Sequence, residues 1–364
     1  MKIIRKLTYL PFLCFILILA ACSNSANTSP SASNNTQGSS TPTPTAGASN
    51  ENSKPQGQLE MKDPINLTML MATAGGTWQA HATSFSEAIK KGLPPGSTVT
   101  VVPGQDGANA VQVSQGKADI ALNMGPSVQL ALNGEEPFKE KLENLRALYT
   151  FQTGAFQMVV KDTVPYDTLD EVIANKYPLK FSVNTPNSLH DLTMRKVLNE
   201  FGVTYNDFKS WGGEVHQLSF GPSFELLDNR KLEGVFSIGF YPIPAYIEKA
   251  QHHKFKLLGI KDGKVTDAVA KSYGFEPHTI KAGAYEFLDK DLYMPPVFET
   301  VIVSSSMKDE VAYTIVKAIE AELGSIRQVT KSMADLDLKK MANVGQLPMH
   351  PGAEAFYKEK GITK

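Results

Sequence analysis

Cysteine is nearly missing from this chain: of 364 residues only Cys14 and Cys22 are cysteines. Everything after residue 22 therefore has no disulfide and no cysteine metal site. Long apolar runs are missing too, and no segment after Cys22 is long enough to cross a bilayer. Neither sign of charge is in excess, with 36 Lys and Arg against 37 Asp and Glu. That balance, with no basic run interleaved with aromatics, argues against nucleic acid as a partner. The histidines His81, His190, His216, His252, His253, His278 and His350 show no H-E-x-x-H or other ligand spacing, so no metal is expected. Ser188, His190 and Asp191 are close in sequence without a G-x-S-x-G around them, and a catalytic triad is defined by geometry that adjacency does not supply. Neither G-x-G-x-x-G nor a P-loop is present. The sequence thus gives no reason to expect an enzyme or a cofactor.

What is present begins with a targeting segment over residues 1–22. Lys2, Arg5 and Lys6 charge its start, 7–19 is apolar but short for a membrane span, and Leu19-Ala20-Ala21-Cys22 is a small-residue cleavage site. This end resembles the lipobox of bacterial lipoproteins, which implies lipidation at Cys22; an ordinary secretory signal with an incidental cysteine is the alternative. Residues 23–60 are almost wholly Ser, Asn, Thr, Pro, Gly, Ala and Gln. Such a segment cannot bury enough surface to offset its ordering entropy, so a disordered tether is expected. Lipid and tether suit display on the outer face of the cytoplasmic membrane of a single-membrane bacterium.

The remainder has enough apolar content for two cores. Ile65, Leu67, Met69 and Met71 alternate with Leu70 and Ala72, as in a strand covered on both faces. After Thr73-Ala74-Gly75-Gly76-Thr77, the residues Trp78, Ala82, Phe85 and Ile89 recur at helical spacing up to Gly92. A helix entered through glycines directs N–H groups into the turn, where ligand oxygens can approach. The same glycines also suit a plain tight turn with Thr77 as cap. Strand and helix patterns then alternate: strands at 97–102 and 119–123, helices at 107–115 and 127–132. This βαβαβα order predicts a parallel sheet with its ligand edge at the loops after the strands.

The run 145–160, interrupted at Gln152-Thr153-Gly154, predicts a strand that leaves a first lobe for a second, and 294–303 a strand that returns. The second lobe repeats strand, turn and helix at 180–183, 184–188 and 189–201, then adds a strand at 234–238 before Gly239-Phe240-Tyr241-Pro242. A capping box at Ser306–Asp309 is expected to open the last long helix. Lobe 1 is thus 61–152 with 298–364, and lobe 2 is 153–297. Two α/β lobes joined by two extended crossings form a hinged solute-binding protein with its ligand in the cleft.

The runs Thr73-Ala74-Gly75-Gly76-Thr77-Trp78, Gly104 to Asp119 with Asn109 and Gly116, Asn133-Gly134, Pro186-Asn187-Ser188 with Thr193-Met194, and Pro348-Met349-His350-Pro351-Gly352-Ala353 with Tyr357-Lys358 resemble the TAXI family. These are the extracytoplasmic receptors of one branch of tripartite ATP-independent periplasmic (TRAP) transporters. The resemblance implies an α/β, two-lobed periplasmic-binding-protein fold, type II-like, with two hinge crossings. It implies delivery of a small, carboxylated solute to membrane permease subunits by a monomer with no cofactor. It also implies contacts on the Gly75-Gly76-Thr77 turn, on the loop after Ala121-Leu122, and on the Pro186 turn. In two places the chain departs from the family: Met124-Gly125 replaces a Gln-Ser pair, and Asn187-Ser188-Leu189-His190 replaces Gly-Ser-Gly-Thr.

The expected ligand contacts are Thr73, Gly75, Gly76, Thr77, Trp78, Asn123, Met124, Gly125, Gln152, Thr185, Asn187, Ser188, His190, Phe240 and Tyr241. None of the stretches that hold them contains Lys or Arg. A carboxylate would then rest on helix N–H groups, on the Thr77 and Ser188 hydroxyls, and on His190, whose protonated form would favour anions below about pH 6.5. His190 as a mere first-turn surface residue, and Tyr241 as core filling, remain open. The competing functions are the binding lipoprotein of an ABC importer and, from another class, a tethered hydrolase.

Overall fold

The computed structural model describes residues 59, 61–72 and 77–363. Cys22, the tether apart from Leu59, and the 73–76 turn lie outside them. Strands β1 (Asn66–Leu70), β2 (Thr98–Val102) and β3 (Ile120–Met124) pair in parallel, and helices α1 (Thr77–Gly92), α2 (Asp106–Ser114) and α3 (Gly125–Asn133) follow them in turn. The double-sided pattern of β1 is realised. Leu67 and Met69 enter one core with Phe85 and Ile89 of α1, while Leu70 enters the other with Ala110 and Val113 of α2 and Val128 of α3. Phe85 is fully buried, edge-on to Phe151 at 5.2 Å and to Tyr149 at 5.6 Å. Burying a ring of that size is worth roughly 2–3 kcal/mol.

Two long strands carry the chain between halves of the sheet. β4 (Leu145–Lys161) and β11 (Pro296–Ser304) pair antiparallel from Ala155↔Pro296 to Leu145↔Ser304. Beyond them lie β5 (Lys180–Ser182), β6 (Glu214–His216), β7 (Gly234–Gly239) and β8 (Phe255–Leu257), with α4 (Leu169–Ala174) and α5 (Leu189–Glu200) among the connections. The order across one 9-stranded sheet is β2-β1-β3-β11-β4-β7-β5-β6, with β8 also on β4. A separate antiparallel pair joins β9 (His278–Ile280) and β10 (Leu292–Met294). Gly154 marks the changeover on β4, because a Cβ there would lie 2.2 Å from the Gly239 carbonyl oxygen. The register of β4 and β11 shifts between Glu299 and Thr300, leaving Phe151 without an opposite residue. Such bulges re-aim side chains.

At the C-terminal end one expectation fails. The helix Asp309–Ala321 begins after Lys308 with no side-chain cap, and the Ser306 hydroxyl pairs with that of Ser304 at 2.9 Å instead. Asp309 and Glu310 in the first turn meet the helix dipole in place of the expected box. His350 is structural. It is buried, accepts the Gly352 N–H at Nδ1 (3.2 Å) and donates from Nε2 to the Met307 carbonyl (2.9 Å).

Candidate functional site

A cavity of about 990 Å³ lies where the C-terminal ends of β1 and β3 face those of β5 and β7. That is where open α/β sheets hold ligands, and the volume suits a small molecule. Trp78 in the first turn of α1, Met124 at the end of β3, Gln152 on β4, Asn187, Ser188 and His190 around the start of α5, and Phe240 and Tyr241 after β7 all line it. The structure brings these eight expected contacts together from both halves of the sheet.

Other expected contacts are placed elsewhere or lie outside the described residues. Asn123 is fully buried behind the wall, where its Nδ2 donates to the carbonyl and Oδ1 of Asp106. Gly125 packs on Phe298, and a Cβ there would lie 2.0 Å from the ring. Thr185 is exposed and does not line the cavity; its N–H donates to Asn184 Oδ1 at 2.7 Å. Thr73, Gly75 and Gly76 lie outside the described residues, and Thr77 is seen only as the start of α1. Ser188 caps α5 by accepting the Asp191 N–H at 3.3 Å, and Asn187 Oδ1 accepts from Arg195 at 2.7 Å.

The side chains that give the cavity its chemistry include several that sequence reasoning passed over. Glu299 on β11 is 4% exposed and sits opposite Gln152, whose Nε2 donates to Oε2 at 2.8 Å. The Trp78 indole also donates to this carboxyl. Burial pushes the Glu299 pKa up to about 8, with the charge of Asp106 adding to the rise. Asp106 opens α2 and faces the cavity; its Oδ1 accepts the Met124 N–H at 2.8 Å. Burial raises its pKa to about 6, against the pull of Met124, Ser127 and Asn123. At neutral pH the floor therefore holds one protonated and one ionised carboxyl. A lone Glu inside the apolar run 294–303 was the available signal for the first. Asp106 lay in plain view on the ligand edge, as the first residue of the helix after β2.

A hydrogen-bond chain runs along the same wall. Ser332 donates to Gln152 Oε1 at 2.6 Å, and Thr330 and Ser332 hydroxyls pair at 3.0 Å. Thr330 meets His81 Nε2 at 3.2 Å. The Ser332 proton is committed to Gln152, so Thr330 donates to Ser332 and His81 Nε2–H donates to Thr330. His81 Nδ1 is left as an acceptor, and it has no partner.

Two expectations about charge change. Burial pushes the pKa of His190 down to about 4, so the ring, edge-on to Phe220 at 6.1 Å, stays neutral where protonation was expected to strengthen anion binding. A basic side chain also reaches the cavity from outside the expected stretches: the exposed Lys331 lines it, carried in by the segment that supplies Thr330 and Ser332.

Residues 69–361 match the NMT1-like family. Among solved structures the chain is similar to a TctC solute binding protein from Polaromonas, at 15% identity and a TM-score of 0.50, covering 76% of this chain and 88% of that one. It is also similar to the periplasmic binding protein BugD, at 14% identity and a TM-score of 0.46 over 83% of this chain and 100% of that one. A third similar structure is MatC from Rhodopseudomonas palustris with bound malate, at 11% identity and a TM-score of 0.45 over 74% and 88% of the two chains. The likeness to the first shows the fold: α/β and two-lobed, as in periplasmic solute-binding proteins.

Proposed function

The chain belongs to the NMT1-like family, and on that premise we propose that it is an extracytoplasmic solute receptor that hands a small molecule to a membrane permease. The observation that carries this reading is the 990 Å³ cavity lined from both halves of one sheet, with β4 and β11 as the crossings between them. The lobes are 61–152 with 298–364, and 153–297, and they close on the solute by flexing at the two crossings. The finer assignment is to the TAXI branch, with a TRAP-type permease driven by an ion gradient. The receptor is held at the membrane by lipid on Cys22, acts as a monomer and is not an enzyme. For a carboxylated solute, the anion contacts are the N-terminal end of α5, the Ser188 hydroxyl and Lys331.

The test is uptake into vesicles carrying a candidate partner permease. Uptake that needs this protein and an ion gradient, and ignores ATP, is the expected result; dependence on ATP would make the partner an ABC importer. Product accumulating from the bound solute would restore the hydrolase. Cys22→Ser should release the protein from membranes.

A further inference from the structure

The groups on the floor of the cavity are not indifferent to ligand charge. Glu299 and Asp106 supply two carboxyls. Among the described residues neither is ion-paired with a lysine, arginine or histidine. His81 is 1% exposed and lines the same cavity, and the order of protons from His81 through Thr330, Ser332 and Gln152 to Glu299 leaves its Nδ1 an acceptor without a partner. The open Nδ1 of His81 is therefore an acceptor, and with the Asp106 carboxylate it calls for a ligand that brings hydrogen-bond donors or positive charge. The rest of the lining agrees: Trp78, Phe138, Phe220, Phe240 and Tyr241 bring aromatic rings to the one cavity. Aromatic rings beside carboxylates are the surroundings in which ammonium and quaternary ammonium groups are held, because the ring faces are negative and the cation is weakly hydrated.

We propose that the solute carries a cationic nitrogen, an ammonium or quaternary ammonium, which seats among these rings with its charge met by Asp106 and with Glu299 beside it. This rests on the receptor reading and names its substrate class. Asp106 is the charged partner at neutral pH and Glu299, protonated there, an oxygen neighbour; the exposed Lys331 repels a bare cation from its side and tolerates a solute whose far end is anionic. The other ionisable groups facing the cavity, His81, His190 and Tyr241, are neutral at that pH.

The test compares solutes that differ in the nitrogen alone. Choline, glycine betaine and putrescine are titrated calorimetrically into the mature protein at neutral pH beside 3,3-dimethylbutanol, 3,3-dimethylbutanoate and 1,4-butanediol, with succinate as an acid control. At least one cation should bind about tenfold or more tighter than its neutral-core partner. Asp106→Asn should remove most of that advantage and Glu299→Gln less of it, with melting curves reporting whether each variant is folded. A carbon isostere that binds as well as its cation, or succinate binding where no cation does, overturns this inference and leaves the receptor reading standing. If cations, isosteres and succinate all fail to bind, both fall together. The comparison on the wild type holds even if Asp106→Asn does not fold.

Discussion

The two walls of the cleft grow from the same unit, a strand followed by a loop and a helix, yet they carry different chemistry. The wall on β1, β3 and β11 is polar and cross-braced. Asn109, fully buried, accepts the Gln105 N–H and donates to the Met71 and Leu122 carbonyls, tying the ends of two strands to the turn that presents Asp106. Asn123 and the Met124 N–H then hold that carboxyl in place. The facing wall, from α5, the helix Phe220–Asp228 and the loop after β7, presents Phe220, Phe240, Tyr241 and a neutral His190. Its Ser188 cap is only partly buried. One wall fixes where charge is met, and the other supplies three of the five aromatic rings, Phe220, Phe240 and Tyr241. The division follows from where polar groups are embedded: a carboxyl inside a sheet needs a full set of donors around it, whereas an aromatic loop needs only area.

The largest test of this contrast is Asn109→Leu, which leaves two carbonyls and one N–H unpaired in the braced wall. It should cost roughly 3–9 kcal/mol in denaturant unfolding, at about 1–3 for each orphaned group. A loss no larger than that of a helix cap would erase the contrast.

Glu299 gives the next test. Its pKa is raised from 4.5 to about 8 on folding, so the folded state holds a proton that the unfolded state releases, and the stability linked to it is lost as pH rises through that window. His81 and His190 are lowered from 6.5 to about 4, so their contribution is lost as pH falls below 6.5 and leaves the range above it to the acid. Between pH 6.5 and 8, Glu299→Gln should gain on the wild type by roughly 1 kcal/mol per pH unit in chemical unfolding. Parallel curves would mean that the carboxyl is ionised in the fold.

On the second wall, Ser188→Ala removes one cap and should lower stability by about 1 kcal/mol. The smallest effect belongs to His190→Ala: its affinity for the solute should follow the same pH curve as the wild type from pH 7.5 to 5.5, since the ring is neutral throughout. A divergence below pH 6.5 would restore the imidazolium contact.

Periodicity made the framework legible. The strands β4 and β11 are long and β1, β3 and β7 mostly apolar, and α1, α3 and α5 end at glycines or an Asn-Gly stop, so both kinds of signal were strong. β6, β8, β9 and β10 have 3 residues each, too few to show an alternation. The site was legible as a set of loops, because strand ends define it. Its chemistry was less so. Gly125 and Asn123 read as contacts from their place on the ligand edge, and only the packing on Phe298 and the bonds to Asp106 give them their work. Glu299 depends on a bulge between two distant strands, and Thr330 to Ser332 arrive from a segment 180 residues from Gln152, a pairing no local pattern announces.

That the solute sits between these two walls is tested most directly at Trp78. Trp211 is the only other tryptophan, so Trp211→Phe leaves Trp78 as the sole reporter. In that variant, a solute that raises the melting temperature should also change Trp78 emission, and the two titrations should give one dissociation constant. A solute that stabilises the protein with Trp78 emission unchanged would place its site elsewhere.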